Sequence, residues 1–181
     1  MATGREQILG SIRRHRLPNR PLPSLERDWI VYDDPVSQFT ETLEAVGGKC
    51  IHAGPQDGVS EKLKTIDAYS NASKVLSTIP AVKGNVNLAT IDDRHDLEDL
   101  DYVILAGEFG VAESAAIWLN DRYLRHRVAP FITQHLALTL SASEIVHNMH
   151  QAYERLSFEN SGFGIFISGP SKTADIEQSL V

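Results

Sequence analysis

The chain has 181 residues, of which 42% are hydrophobic and 23% charged, and its formal net charge is −7. This length and composition predict a globular protein with one main domain and a sizeable hydrophobic core. The acidic balance argues against nucleic acid as a partner, because binding a phosphate backbone requires a basic face.

Cys50 is the sole cysteine, so the sequence allows no internal disulfide and no cysteine-based metal cluster within one chain. No apolar run approaches the roughly 20 residues that a membrane-spanning helix needs. The N-terminus lacks the apolar core of a signal peptide. These features predict a cytoplasmic protein.

The first 33 residues are predicted to form an arm. Thr3 and Glu6 have capping-box spacing, and Ile8, Leu9 and Ile12 then fall on one helical face. Three prolines between residues 17 and 23 predict an extended connector. We therefore expect a helical arm and connector over residues 1–33, packed on the body or on a partner subunit. The main domain is expected to span residues 34–181.

The main domain begins with an alternation of helices and strands. Asp34 followed by Pro35 is a typical helix start, and Gly47–Gly48 is a typical helix end. The pattern then predicts a strand over 49–53, a helix over 57–68 and a strand over 74–79. This order indicates a mostly parallel sheet flanked by helices.

The second half predicts further strands and one more helix. Residues 102–106 form a clear buried strand, and the glycines after it indicate a hairpin leading to a strand over 115–119. Ser141 and Glu144 have capping-box spacing and predict a helix that continues through Tyr153. The remaining predicted strands cover 86–91, 131–132 with 136–140, and 165–167.

The last predicted strand leads into the loop Ser168-Gly-Pro-Ser-Lys-Thr and a helix start. Backbone N–H groups at a helix start favour an anion. Lys172 would add a point charge and Ser171 and Thr173 hydroxyl donors. The loop lacks Walker spacing. The candidate ligand-binding residues are Gly169, Ser171, Lys172, Thr173 and Asp175.

The same loop has an alternative interpretation as a helix cap, in which Ser171 or Thr173 caps the helix. Asp175 and Glu177 would then lie favourably at the positive end of its dipole. The helix would end after about two turns at Leu180–Val181, leaving apolar residues beside a free carboxylate. Either these residues pack into the core, or the natural chain continues beyond Val181 into a further strand, and we expect the second.

Glu113 is the candidate catalytic residue. It lies between a glycine-rich turn and a strand, where a partly desolvated carboxylate acts as a base or nucleophile. The alternative is that Glu113 is an exposed turn residue, and Glu108 is a weaker candidate. His147 and His150 lack a third ligand at suitable spacing, so no metal site is expected.

The segment Ser168-Gly-Pro-Ser-Lys-Thr-Ala-Asp-Ile-Glu, with Phe109-Gly-Val-Ala-Glu-Ser-Ala-Ala-Ile-Trp-Leu upstream, resembles the lactate utilization protein C family. These are the small members of the LUD-domain proteins, and the resemblance extends from about Val36 onward. Every position of the family's C-terminal pattern is met. The family often has a glycine at the end of the turn that reads Glu113-Ser114-Ala115 here.

The resemblance implies a three-layer α/β/α fold similar to the ribose-phosphate isomerase and CoA-transferase group. It also implies a cytoplasmic role in oxidising L-lactate to pyruvate beside iron–sulfur partner proteins. A lone Cys50 falls short of the usual four thiolates, so the clusters would belong to those partners and this chain would bind no cofactor. The chain would then be an accessory or ligand-binding subunit that holds a small anionic ligand at residues 168–177.

Two alternatives remain open at the level of sequence. The chain could be a stand-alone enzyme of acyl-transfer or phosphosugar/CoA chemistry, with Glu113 as nucleophile or base; its turn is similar to that of the acyl-accepting glutamate of CoA transferases, by analogy of fold. It could instead be a structural module whose arm over residues 3–16 mediates association, including association into a homo-oligomer.

Overall fold

The computed structural model describes residues 3–17, 20–54, 58–122, 124–157 and 162–170. Helices and strands alternate along these ranges and build two sheets. The helices are α1 (Gly4–Arg14), α2 (Pro35–Ala45), α3 (Val59–Lys64), α4 (Asp67–Ser70), α5 (Ala129–Ile132) and α6 (Met149–Glu154). The strands are β1 (Val75–Ser77), β2 (Tyr102–Ala106), β3 (Phe109–Val111), β4 (Ala116–Asn120), β5 (His135–Thr139), β6 (Ile145–Val146) and β7 (Gly164–Ile167).

The first sheet is entirely parallel, in the order β1-β2-β5, and we call it the parallel sheet. Its central strand β2 is buried on both faces, as expected for a continuous apolar run. Tyr102 and Ile104 face a cluster that includes Leu63 of α3, whereas Val103 and Leu105 face the opposite side. The α/β fold with a mostly parallel sheet is thereby confirmed.

The second sheet, which we call the mixed sheet, has the order β6-β3-β4-β7. β3 and β4 form the predicted antiparallel hairpin, β6 pairs parallel to β3, and β7 pairs antiparallel to β4. Leu119, Ile165 and Ile167 of this sheet pack in the same cluster as Val103 and Leu105. The main core therefore lies between the two sheets, and the hairpin indicated by the sequence forms the centre of the mixed sheet.

Two predicted helix caps are confirmed, and both depend only on residues close together in the sequence. The hydroxyl of Thr3 accepts from the N–H of Glu6 at 3.3 Å, and the Glu6 carboxylate accepts from the N–H of Thr3 at 2.7 Å, so the capping box is formed. Asp34 caps α2 by accepting from the backbone N–H groups of Val36 and Ser37.

Other predicted elements are wrong in type or extent. Residues 49–53 are not a strand, and the helix predicted over 57–68 is split into α3 and α4. The strand predicted over 86–91 is a 3-10 turn, Leu88–Thr90, preceded by one bridge between Val86 and Leu76. Phe131 and Ile132 belong to α5 rather than to a strand.

The helix predicted to begin at Ser141 is also wrong at its start. A 3-10 turn, Ala142–Glu144, leads into β6, and α6 begins only at Met149. The Ser141 hydroxyl bonds Ser143 instead of capping, whereas the Asn148 side chain accepts from the N–H of Gln151 at 3.0 Å. Strand pairing with β3 thus overrides the capping-box pattern.

The edge of β1 is covered by the chain that follows it rather than by another strand. The Asn85 side chain accepts from the N–H of Val75 at 2.8 Å and donates to the carbonyl of Ser73 at 2.6 Å. The N–H groups of Asn85 and Val86 both donate to the Val75 carbonyl. The side chain and backbone of Asn85 therefore make hydrogen bonds that a neighbouring strand would otherwise make, and this protects the edge of β1.

The arm helix α1 has no buried residue, and the side chains of Ile8 and Ile12 are 64% and 63% exposed. The chain is anchored to the body further on, where Trp29 stacks on His150 with ring centroids 3.3 Å apart. The N–H of Tyr32 also donates to Nδ1 of His147 at 3.1 Å. Among the described helices, none is long and apolar enough to cross a membrane.

Candidate functional site

The turn Glu113–Ser114–Ala115 joins β3 to β4. The N–H of Glu113 donates to the His147 carbonyl at 3.1 Å, and its carboxylate accepts from the N–H of Met149 at 2.7 Å. These two bonds tie the half-buried Glu113 to the start of α6, which satisfies one of the free N–H groups there. The structure thus gives Glu113 an anchoring contact, and its catalytic role stays a prediction.

Ala115 has a positive φ of 50°, which non-glycine residues rarely adopt. This is the position at which the resembled family often has glycine. The alanine methyl is buried, 1% exposed, in a cluster with Phe39, Ala112 and Ile117. The turn therefore keeps the left-handed geometry that suits glycine and fills the space beside it with a methyl group.

The C-terminal loop begins directly against this turn. The Ser168 hydroxyl donates to the carbonyl of Ser114 at 2.8 Å. Gly169 lies against the end of α2, where an added Cβ would approach Cγ2 of Val46 to 2.5 Å. The structure therefore brings together two segments that the sequence singled out separately.

The other predicted ligand-binding residues, Ser171, Lys172, Thr173 and Asp175, lie outside the described residues. The turn that Ser168 contacts contains a polar atom that lacks a hydrogen-bond partner among the described residues. Within the described ranges, Oγ of Ser114 is buried and makes no hydrogen bond. A buried hydroxyl without a partner is destabilising by about 1–3 kcal/mol, so this oxygen marks a place where a polar group would be favoured.

A separate cavity of about 380 Å³ opens at the carboxyl ends of β1 and β2. In open parallel sheets this edge is the usual position of a ligand. Residues that follow the two strands supply most of the wall, and the end of β4 closes it. The lining residues are Thr78, Ile79, Pro80, Leu105, Ala106, Gly107, Glu108, Leu119, Asn120 and Leu124.

Glu108 is the charged residue of this lining, and sequence reasoning rated it below Glu113. Its carboxylate accepts from the side-chain amide of Asn120, whose Oδ1 accepts from the N–H of Arg122 at 3.0 Å. The Glu108 N–H donates to the Trp118 carbonyl at 3.0 Å. Its place directly after a central buried strand was the signal that could have identified it.

Throughout the described ranges, no three side chains of histidine, cysteine, aspartate or glutamate are placed to hold a metal ion. His147 and His150 instead contact Tyr32 and Trp29, as described above. Cys50 is a free thiol whose Sγ lies 4.0 Å from Nε2 of His52.

Comparison with known proteins yields one family. Neither the curated proteins nor the solved structures contain a significant match to this chain. A family model described as the LUD domain matches residues 58–181, which is well over half of the sequence. This range includes the hairpin turn at Glu113, the cavity lining and the C-terminal loop. The chain therefore belongs to the LUD domain family, which indicates involvement in lactate utilization in general.

Proposed function

We propose that this chain is an accessory, ligand-binding subunit of a cytoplasmic system that oxidises L-lactate to pyruvate. In this proposal a small anionic ligand binds at residues 168–177. The observation that supports it most directly is the hydrogen bond from Ser168 to the Ser114 carbonyl. Through that bond, the start of the loop contacts the segment Phe109–Leu119, on which the family resemblance also rests.

The chemistry of the loop fits a small anion. Lys172 would supply a positive charge, and Ser171 and Thr173 would supply hydroxyl donors. The nearby carboxylate of Glu113 is engaged with the N–H of Met149. Its charge is therefore partly compensated, which weakens its repulsion of an anion at the adjoining loop.

An accessory role follows from what redox chemistry would require. Iron–sulfur clusters are usually held by four thiolates, and the sequence has one cysteine. The clusters of the proposed system would therefore belong to partner subunits. The exposed apolar face of α1, with Ile8 and Ile12, is the surface that we assign to those partners.

Ligand binding is tested by calorimetric titration of the purified protein with L-lactate, pyruvate and inorganic phosphate. Lys172→Ala should weaken binding of the preferred anion at least tenfold, because it removes the cation of the loop. Lys83→Ala removes the same charge from an exposed site after β1 and serves as the matched control. Equal affinities of the two variants, or no binding of any of the three anions, would contradict the proposal.

Partner binding is tested by co-purification from cells grown on L-lactate. Replacing Ile8 and Ile12 together with aspartate should abolish recovery of iron–sulfur proteins while leaving α1 capped and the body folded. As a control, replacing the exposed Arg13 and Arg14 with glutamine removes charge from the end of the same helix and leaves its apolar face intact. The control distinguishes an effect of charge from an effect of apolar contact. Undiminished recovery with the aspartate variant would exclude α1 as the partner surface.

The second candidate function is acyl-transfer or phosphosugar/CoA-type catalysis by Glu113. It is favoured by one observation: the carboxylate is half-buried and oriented by a 2.7 Å bond to one of its oxygens. Glu113→Gln preserves an oxygen acceptor for that bond. If Glu113 is catalytic, the wild type should turn over CoA esters or sugar phosphates, and the variant should lose that turnover without losing thermal stability. If Glu113 only anchors the turn, neither protein should show turnover, and the variant should be about as stable as the wild type.

A further inference from the structure

We propose that the cavity at the carboxyl ends of β1 and β2 is a second binding site, separate from the C-terminal loop. Its ligand class is a small molecule that carries an ammonium or hydroxyl donor on an apolar body. This site goes beyond the proposed anion-binding function, because its charge favours a ligand of the opposite kind.

The backbone builds the cavity where parallel strands end. Thr78 follows β1, and its N–H still pairs with the Ile104 carbonyl at 3.0 Å, so the strand edge is held in place up to the cavity. Gly107 follows β2 and lies so close to β4 that an added Cβ would approach Cγ2 of Ile117 to 2.3 Å. The close approach of the two sheets leaves Glu108 at the rim.

The polar end of the cavity is a carboxylate with a fixed neighbour. Oδ1 of Asn120 accepts from the N–H of Arg122, so its NH₂ group is the part that is turned toward Glu108. That amide occupies one carboxylate oxygen and leaves further acceptor positions for a ligand. No lysine or arginine is among the described residues that line the cavity. A ligand carboxylate or phosphate would meet uncompensated negative charge, whereas a donor would be bound.

Apart from Thr78, the rest of the cavity lining is apolar. Leu105 and Leu119 are almost fully buried behind it, and Ile79, Pro80 and Leu124 form the sides. About 380 Å³ lies in the lower part of the usual range for small-molecule sites, roughly 300–1,000 Å³. The cavity therefore has room for one short apolar group of the ligand, with the ligand's hydrogen-bond donor at Glu108.

The cavity is also distant from the loop that begins at Ser168. Asn120 ends β4, whereas Ala115 precedes its first residue. Five residues at about 3.3 Å each separate the two by roughly 16 Å along the strand. Glu108 and Asn120 are therefore separated along β4 from the Glu113 turn, which Ser168 contacts.

The experiment uses hexylamine, 1-hexanol and hexanoate, which share one chain length and differ in the polar group. Backbone amide shifts of the ¹⁵N-labelled full chain are followed during each titration at constant salt. Hexylammonium should bind most tightly, hexanol next and hexanoate least, with the largest shifts at Thr78, Ile79 and residues 105–108. L-lactate titration of the same samples reports on the other site.

Two variants make the result decisive. Glu108→Gln should weaken hexylammonium at least tenfold and change hexanol less than threefold, whereas Glu98→Gln, an exposed carboxylate elsewhere with the same charge change, should alter neither. Ala106→Phe should block all three probes by filling the cavity. Equal effects of the two glutamine variants, tightest binding of hexanoate, or shifts that map away from these strand ends would overturn the proposal.

Discussion

Replacing Ala115 with glycine should leave the free energy of unfolding nearly unchanged, because opposing effects of similar size meet at this residue. The backbone has φ of 50°, a conformation that costs a residue with a Cβ about 1–2 kcal/mol. Glycine would remove that cost. Against this gain, glycine lowers stability by about 0.4–1 kcal/mol through the greater freedom of the unfolded chain.

The buried methyl supplies the remaining part of the balance. The side chain of Ala115 is 1% exposed, and removing one buried methyl costs about 0.8 kcal/mol. The three effects leave a net change within about 1 kcal/mol of zero. Ala115→Val behaves differently, because a β-branched side chain strains the same φ and overpacks the cluster around Phe39. Its expected loss is about 2–5 kcal/mol.

Urea unfolding followed by circular dichroism measures both variants against the wild type at one protein concentration. The glycine variant should have a midpoint close to that of the wild type, and the valine variant a clearly lower one. A loss above about 2 kcal/mol for glycine would show that the methyl contributes more than its transfer energy. A loss below about 1 kcal/mol for valine would refute the assigned left-handed geometry.

Three further predictions concern hydrogen bonds, packing and pH. Asn85→Asp should lower the free energy of unfolding by about 0.5–1.5 kcal/mol, since aspartate cannot donate to the Ser73 carbonyl beside β1. Asn87→Asp, where the side chain only accepts, should change the free energy of unfolding little in the same urea assay. Gly164→Ala should lower the melting temperature, because the added Cβ would lie 2.2 Å from the Trp118 ring, and an unchanged value would contradict the close packing. Hydrogen bonds from backbone N–H groups, of which that of Lys74 has the largest effect, hold the pKa of Asp101 below its usual value. The stability that this carboxylate contributes is therefore present above about pH 4 and is lost as the pH falls through the lowered pKa. The difference in urea midpoint between wild type and Asp101→Ala should therefore shrink as the pH falls below about 4, and a difference that grows over that range would be inconsistent with this account.

The features that the sequence predicts correctly are those decided by near neighbours. The Asp34 cap and the Thr3 capping box need only residues two or three positions away. Ser141 satisfies the same spacing, yet Ile145 pairs with Gly110 in the mixed sheet, and no local pattern contains that information. Residues 49–53 have strand-like composition but pair with no strand among the residues that the structure describes.

The candidate sites show the same division. The pairing of β4 with β7 brings Ser168 to the Glu113 turn, and the sequence could name both segments without placing them together. The cavity at Glu108 depends on which strand ends are neighbours, because Asn120 is twelve residues further along the chain. Side-chain identity pointed to the loop and to Glu113 as candidates, whereas sheet order determines which groups meet.

The placement of the two tryptophans determines what intrinsic fluorescence can report. Trp29 stacks on His150 at the anchor of the arm, and Trp118 packs beside Phe166 in the mixed sheet. The parallel sheet contains no tryptophan, since these two are the whole set in the sequence. Tryptophan emission will therefore follow release of the arm and opening of the mixed sheet, while separation of α3 and α4 from β1 proceeds without a direct tryptophan signal. A chain that loses ellipticity before its emission changes would reveal that its two layers unfold independently.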